Sequence, residues 1–174
     1  MNVKIVSVIL LASLALSSAS AVLAQAGDRS VITTRHVPAT SEQVLQAFLN
    51  SDDLEAWWQT TRSLVELKVG GIWAIAWDDW GEAKTHHSWT GVIRNLSPGK
   101  LVVSPMLMTE PDMPLLGPMS LEVSVEPAEG GGTNVTVTHS GYGYGDHWDE
   151  MYDLVVNGWD HVLGDMATWF EKGY

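Results

Sequence analysis

The stretch of residues 146–172 constrains the fold more than any other part of the sequence. Its apolar residues recur at alternating steps of four and three, the spacing that keeps side chains on one side of an α-helix. The residues of this stripe are Trp148, Tyr152, Val155, Trp159, Val162, Met166 and Trp169, widened by Leu163 and Phe170. Acidic residues fall mostly outside it, so the pattern predicts an amphipathic helix of roughly 25 residues. Such a helix needs a broad apolar surface, and we expect a curved sheet to wrap around it.

Upstream of this helix the sequence predicts strands and two short helices. A β-branched run at residues 31–37, closed by Pro38, predicts the first strand. Thr40 or Ser41 is suited to cap one helix, and a second begins at Ser51 or Asp52. Further strands are predicted where β-prone runs lie between Gly- and Pro-rich turns, at residues 63–69, 72–78, 86–96, 100–106, 119–127 and 133–141.

Consecutive strands with short connections indicate antiparallel pairing, because parallel neighbours need long crossovers. The predicted order is one strand, two short helices, six strands and the long helix. We therefore predict one α+β domain with its helices on one face of an antiparallel sheet, without internal repeat or second domain.

The N-terminus has the pattern of a secretory signal peptide. Lys4 supplies the positive charge, residues 5–16 form an apolar core broken only by Ser7 and Ser13, and small residues precede cleavage sites after Ala24 or Ala26. We expect residues 1–24 to be the signal peptide and residues 25–174 the mature domain. The protein would then be secreted or periplasmic, with no stable membrane association after cleavage. An uncleaved anchor is the alternative, although serines within the stretch weaken a spanning helix.

Composition excludes several kinds of partner and chemistry. With 9 Lys and Arg against 21 Asp and Glu, the net charge of −12 argues against nucleic acid and anionic membranes, which require a basic surface. The absence of Cys rules out disulfides, thiolate zinc sites and cysteine nucleophiles. No phosphate-binding glycine loop and no G-x-S-x-G motif is present, and no cofactor is predicted.

Short motifs in a fixed order resemble a known family. They include Val37-Pro38-Ala39, Asp53-Leu54-Glu55-Ala56-Trp57-Trp58, Gly70-Gly71-Ile72-Trp73, Leu96-Ser97-Pro98-Gly99-Lys100, the run of residues 132–141, and Gly158-Trp159. The set resembles the START-like SRPBCC superfamily, in the branch related to heat-shock-protein ATPase activator homologues. The resemblance implies a helix-grip fold, in which a curved antiparallel seven-stranded sheet wraps around the long C-terminal helix. The export signal argues against a co-chaperone role, because an ATP-driven cytosolic chaperone is not available outside the inner membrane.

Tryptophans are the main candidates for a binding site. Trp73, Ile75 and Trp77 alternate onto one face of their strand, which we expect to look inward. In such a fold the space between sheet and helix is either packed or left as a cavity for an apolar ligand. The predicted ligand-binding residues are Trp57, Trp73, Trp77, Trp89, His139, Tyr142 and Trp159. The alternative is a core filled by tryptophan, and the sequence does not distinguish which of Trp57 and Trp58 is buried.

Histidines are the candidates for chemistry. His86 and His87 are adjacent on a strand, so at most one of them faces the cavity. His139 falls on the predicted inner face near Tyr142, where it would orient a ligand or act as a general acid or base. A structural, hydrogen-bonded histidine is the alternative interpretation.

Two further features surround the predicted cavity. Asp78, Asp79, Glu82, His86 and His87 lie around one hairpin turn, but their spacing matches no known ligand motif, so no metal site is assigned. The glycine-rich residues 141–145 are predicted to form a flexible lip at the mouth of the cavity.

These observations favour a binding module rather than an enzyme: an exported monomer or weak dimer that holds a small apolar or aromatic molecule. A cofactor-independent cyclase, dehydratase or isomerase using a cavity histidine is one alternative. The other is an interaction protein that docks through an exposed Trp80 or Trp148, or through the Pro-rich residues 109–118.

Overall fold

The computed structural model describes residues 27–80, 82 and 84–173. Its elements are β1 (Arg29–Val37), α1 (Ser41–Ala47), α2 (Ser51–Trp58), β2 (Arg62–Val65), β3 (Ile72–Trp80), β4 (Thr85–Ser97), β5 (Lys100–Thr109), β6 (Leu116–Pro127), β7 (Thr133–Tyr142) and α3 (Asp146–Glu171). This order confirms the prediction. The signal peptide expected at residues 1–24 lies outside the described residues.

The seven strands form one antiparallel sheet in the order β1-β7-β6-β5-β4-β3-β2. β1 and β2 therefore occupy opposite edges, although only α1 and α2 separate them in sequence. The two short helices carry the chain from one edge to the other, and α3 lies in the curve of the sheet. This architecture confirms the α+β helix-grip fold.

The two short helices begin at side-chain caps. In α1 the backbone N–H of Gln43 donates to Thr40 Oγ1 at 3.2 Å, and Thr40 N–H donates to the Gln43 side chain at 3.0 Å. This reciprocal pair satisfies amide groups that have no partner within the helix. In α2, Asn50 Oδ1 accepts from two backbone N–H groups, and Gln59 ends the helix in a left-handed conformation at φ 57°. α2 is thus held at both ends, with Trp57 and Trp58 in its last turn.

The buried side chains of α3 differ slightly from the predicted stripe. They are Trp148, Met151, Val155, Trp159, Leu163 and Met166. Tyr152 and Val162 lie at the edges of this face and are only partly buried. Trp148 is 8% exposed and packs on Gly143, which corrects its interpretation as an exposed docking residue. The side chain of Trp80 lies outside the described part of the chain.

β5 and β6 extend further than predicted. β5 continues to Thr109, and β6 begins at Leu116, inside the Pro-rich segment predicted to be a loop. The register of this pair shifts on either side of Met106, so Pro105 is accommodated where the ladder is irregular. At the other edge the strand predicted at residues 63–69 shortens to β2. Because β5 is longer than predicted, the residue that follows it, Glu110, lies near the C-terminal end of α2 and the middle of α3.

Candidate functional site

A cavity of about 340 Å³ lies between the sheet and α3, beside the C-terminal end of α2. This volume is at the lower end of the range of about 300–1,000 Å³ typical of small-molecule sites. Five of its lining residues are tryptophans: Trp57, Trp58, Trp77, Trp89 and Trp159. Its polar lining residues are Gln59, His87, Glu110, His161 and Asp165. The cavity is therefore an aromatic chamber with a small number of polar groups.

Trp58 is the centre of the aromatic wall. Its ring stacks on Trp57 at a centroid distance of 5.0 Å and meets Trp77 and Trp89 edge-on at 5.4 and 5.5 Å. Trp159 of α3 approaches the same ring at 5.1 Å. Edge-on and tilted contacts of this kind are favourable, and they leave ring faces pointing in several directions. The rings form a continuous wall contributed by α2, two strands and α3.

Hydrogen bonds hold these rings in place. Trp57 Nε1 donates to the carbonyl of Ala47 at 2.9 Å, and Trp77 Nε1 donates to the carbonyl of Trp58 at 3.0 Å. Each bond satisfies the only polar atom of a buried indole. The wall is consequently built before any ligand arrives.

Four of the predicted ligand-binding tryptophans line the cavity, namely Trp57, Trp77, Trp89 and Trp159. The sequence did not distinguish which of Trp57 and Trp58 is buried, and in the structure both are. Trp73 points inward as predicted, but it is fully buried and does not line the cavity. Tryptophan thus fills much of the core and still leaves a chamber.

His139 and Tyr142 lie one layer behind the cavity wall. His139 Nδ1 contacts the Tyr142 hydroxyl at 2.7 Å and accepts from Trp159 Nε1 at 3.4 Å. Its ring lies 5.2 Å from that of Trp89, and Nε2 has no hydrogen-bond partner among the described residues. Burial lowers the pKa of His139 to about 3, so the imidazole is neutral at physiological pH. In this position His139 orients the Trp159 ring and does not reach into the chamber.

His87 and Glu110 form the polar edge of the cavity. His87 Nδ1 is hydrogen-bonded to a carboxylate oxygen of Glu110, and His87 Nε2 lies 2.9 Å from Thr85 Oγ1. The Glu110 side chain is only 8% exposed. Sequence reasoning missed Glu110 because it ended the preceding strand at residue 106, which would have put this carboxylate in a loop. A β-prone run continuing to Thr109 was the signal that could have located it.

His86 points to the opposite side of the sheet, as the alternation of the strand predicted. Its Nδ1 lies 2.5 Å from Asp78 Oδ1, and Asp78 also binds the Arg62 guanidinium at 2.7 Å. Hydrogen bonds from Arg62 and then His86 lower the pKa of Asp78 to about 2. Within residues 27–80, 82 and 84–173, no three His, Asp or Glu side chains are grouped to hold a metal ion.

Residues 141–145 do not line the cavity, so the predicted lip is wrong. Gly143 is covered by Trp148: a Cβ at Gly143 would lie 2.7 Å from Trp148 Cδ1. The glycine that lines the cavity is Gly158 of α3. A Cβ added at Gly158 would meet no atom within 4 Å. The opening is therefore beside the middle of α3, not at its beginning.

In the described part of the chain, no helix combines the length and apolar character needed to cross a membrane.

Comparisons with known proteins agree with this architecture. A family model described as activator of Hsp90 ATPase homolog 1-like protein matches residues 38–171. No curated protein matches the chain. A solved structure from Rhodobacter sphaeroides is 18% identical with a TM-score of 0.66, over 83% of this chain and 94% of that one. Protein MLL2253 from Mesorhizobium loti is 13% identical with a TM-score of 0.64, over 84% and 99%.

A third solved structure, described as the Aha1 dimer from Colwellia psychrerythraea, is 17% identical with a TM-score of 0.59, over 80% of this chain and 93% of that one. At these identities the likeness supports the fold alone.

Proposed function

This chain belongs to the family of activator of Hsp90 ATPase homolog 1-like proteins, and from its cavity we propose that it binds a small apolar or aromatic molecule between the sheet and α3. The observation that carries the proposal is the chamber of about 340 Å³ walled by five tryptophans. Rings that are already held by hydrogen bonds and by each other need little reordering when a ligand enters, which favours binding.

The size of the cavity sets the scale of the affinity. A ligand with one aromatic ring that buries about 150 Å² gains about 4 kcal/mol at roughly 25 cal/mol per Å². Loss of translational and rotational freedom offsets part of this gain. A single-ring ligand without polar contacts should therefore bind weakly, and a useful ligand must also engage the polar edge formed by His87 and Glu110.

We also propose that the protein acts outside the cytoplasm. The signal-peptide pattern of residues 1–24 supports export, and the proposed binding would then take place in the periplasm or outside the cell. We propose a monomer or weak dimer in solution. N-terminal sequencing of the protein purified from periplasm or medium would find Gln25 or Gly27 as the first residue if the signal is cleaved after Ala24 or Ala26.

Blocking the cavity tests the binding function. Gly158→Leu should place a side chain in the chamber, because a Cβ at this position meets no protein atom within 4 Å. We expect it to abolish the change in Trp fluorescence that a naphthalene-based probe causes on binding, while Gly158→Ala retains most of the change. Equal responses from wild type and Gly158→Leu, with both folded by circular dichroism, would refute binding in this cavity.

The pair of His87 and Glu110 favours a second candidate, a cofactor-independent acid–base enzyme. A carboxylate that orients an imidazole beside an apolar chamber is an arrangement used for proton transfer. His87 Nε2 is beside Thr85 Oγ1, so a substrate would have to replace that contact to exchange a proton with it.

Proton exchange separates this candidate from simple binding. A cyclic aromatic ketone such as α-tetralone is incubated with the protein in D₂O, and loss of its α-proton signal is followed by NMR. An enzyme of this kind should accelerate the exchange in wild type and not in His87→Asn, which keeps a donor toward Glu110. An exchange rate equal to that in buffer without protein would contradict the enzyme candidate and leave ligand binding as the proposed function.

A further inference from the structure

Glu110 is a nearly buried carboxylate at the wall of an apolar chamber. Its side chain is 8% exposed, and its ion-pair partner is the imidazole of His87. Within residues 27–80, 82 and 84–173, no Lys or Arg forms an ion pair with it. A carboxylate in an apolar wall with no Lys or Arg beside it is a group with which a cation entering the chamber can pair.

A second carboxylate reaches the same cavity from α3. Asp165 lines it, and its neighbour is His161, with 3.5 Å between His161 Nε2 and Asp165 Oδ2. The described residues that line the chamber include no Lys or Arg. With the net charge of −12 on the whole chain, the chamber attracts positive charge.

The aromatic wall strengthens this preference. The face of an indole ring is negative, and a cation within about 6 Å of the ring centre is attracted to it. Neighbouring rings in the wall are 5.0 to 5.8 Å apart, so a cation in front of one ring also lies close to the next. Five tryptophan rings and two carboxylates therefore line the same cavity, with Glu110 nearly buried in its wall and the 42%-exposed Asp165 at its rim.

We propose that the cavity selects a small organic cation, an alkylammonium or quaternary ammonium group that carries an apolar substituent. This inference rests on the proposed function, because it presumes that the chamber binds a small ligand. A metal ion would not suit the chamber, since hard cations need a shell of oxygen ligands that tryptophan cannot supply. A quaternary ammonium is weakly hydrated, so it loses little hydration free energy when it leaves water and enters an aromatic chamber. The volume of about 340 Å³ suits a free small molecule better than a lipid with its acyl chains.

An isosteric pair of probes tests the charge directly. Benzyltrimethylammonium and neopentylbenzene have the same shape and differ only in the nitrogen that carries the charge. Binding to the mature protein is measured by ligand-observed NMR and by Trp fluorescence. We expect the cation to bind about tenfold more tightly than the neutral isostere.

Substitution of the carboxylates locates the site. Glu110→Gln keeps the shape and an oxygen that can accept from His87, so it should reduce the affinity for the cation about tenfold and leave neopentylbenzene unchanged. Glu126→Gln, at an exposed position at the end of β6, serves as the matched control and should change neither affinity. If Glu110→Gln does not fold, Asp165→Asn should show a smaller loss in the same direction.

The outcomes separate this inference from the function on which it rests. Equal binding of the two probes would overturn the preference for a cation and leave the apolar-ligand function standing. Binding of neither probe would count against both. If the protein sediments with phosphatidylcholine vesicles but does not bind benzyltrimethylammonium, the proposal of a free cation is overturned in favour of a lipid headgroup.

Discussion

Single polar atoms decide how the large side chains of this protein are oriented. The indole N–H of Trp73 donates to the carbonyl of Phe48 at 2.8 Å, and that of Trp77 donates to the carbonyl of Trp58 at 3.0 Å. Both bonds join the inner face of β3 to the end of a short helix. Because an unsatisfied buried donor costs about 1–3 kcal/mol, each indole has one strongly preferred orientation.

The buried His139 makes the stability of the protein depend on pH. Its pKa in the folded protein is about 3, against about 6.5 in an unfolded chain. Between these values the unfolded chain binds a proton that the folded protein does not, so the free energy of unfolding falls as the pH drops below about 6.5. We expect a loss of about 2 kcal/mol between pH 7 and pH 5 from this residue, measured by urea unfolding.

The variant His139→Gln isolates this contribution. It removes the titrating group and keeps an acceptor for Tyr142, so the difference in stability between wild type and variant should shrink as the pH falls from 7 to 5. Other titrating groups cancel in that difference. A difference that stays constant over this pH range would show that His139 does not titrate as its burial requires.

At the scale of elements, α3 combines the buried face of the core with one wall of the chamber. Trp159 and Val155 face the tryptophan wall, while Gly158 between them leaves space. A glycine in the middle of a helix is unfavourable by roughly 0.5–1 kcal/mol relative to alanine. α3 thus carries a local instability at the point where the cavity opens.

Two glycine substitutions should have opposite effects on stability. Gly158→Ala has room for its Cβ and should raise the free energy of unfolding by about 0.5–1 kcal/mol. Gly143→Ala should lower it by about 1–3 kcal/mol, because its Cβ would lie 2.7 Å from Trp148 Cδ1. Thermal and urea unfolding of both variants provide the measurement. A stabilising Gly143→Ala, or a destabilising Gly158→Ala, would contradict the packing described for α3.

At the scale of the whole molecule, the chamber exists because distant segments meet. α2 supplies Trp57 and Trp58, β3 and β4 supply two further rings, and α3 closes the space with Trp159. Since β1 and β2 lie at opposite edges of the sheet, α1 and α2 must cross between them. That crossing brings the end of α2 against the sheet and α3, where the cavity lies.

Most of the fold was predictable from local patterns. The order of elements, the inward face of Trp73 and Trp77, and the opposite directions of His86 and His87 follow from strand alternation. Strand ends were less predictable, because the extension of β5 to Thr109 depends on pairing with β6. Glu110 was missed for that reason, and the position of the mouth beside residues 141–145 was wrong.

The sequence by itself determined which side chains turn inward, because helical and strand periodicity are properties of the chain's own geometry. Only the tertiary structure decided which inward side chains meet a ligand. His139 and Trp159 are both buried, yet one lies behind the wall and the other forms it. The physical reason is that depth and empty volume depend on how elements far apart in sequence pack against each other, and no local period encodes that distance.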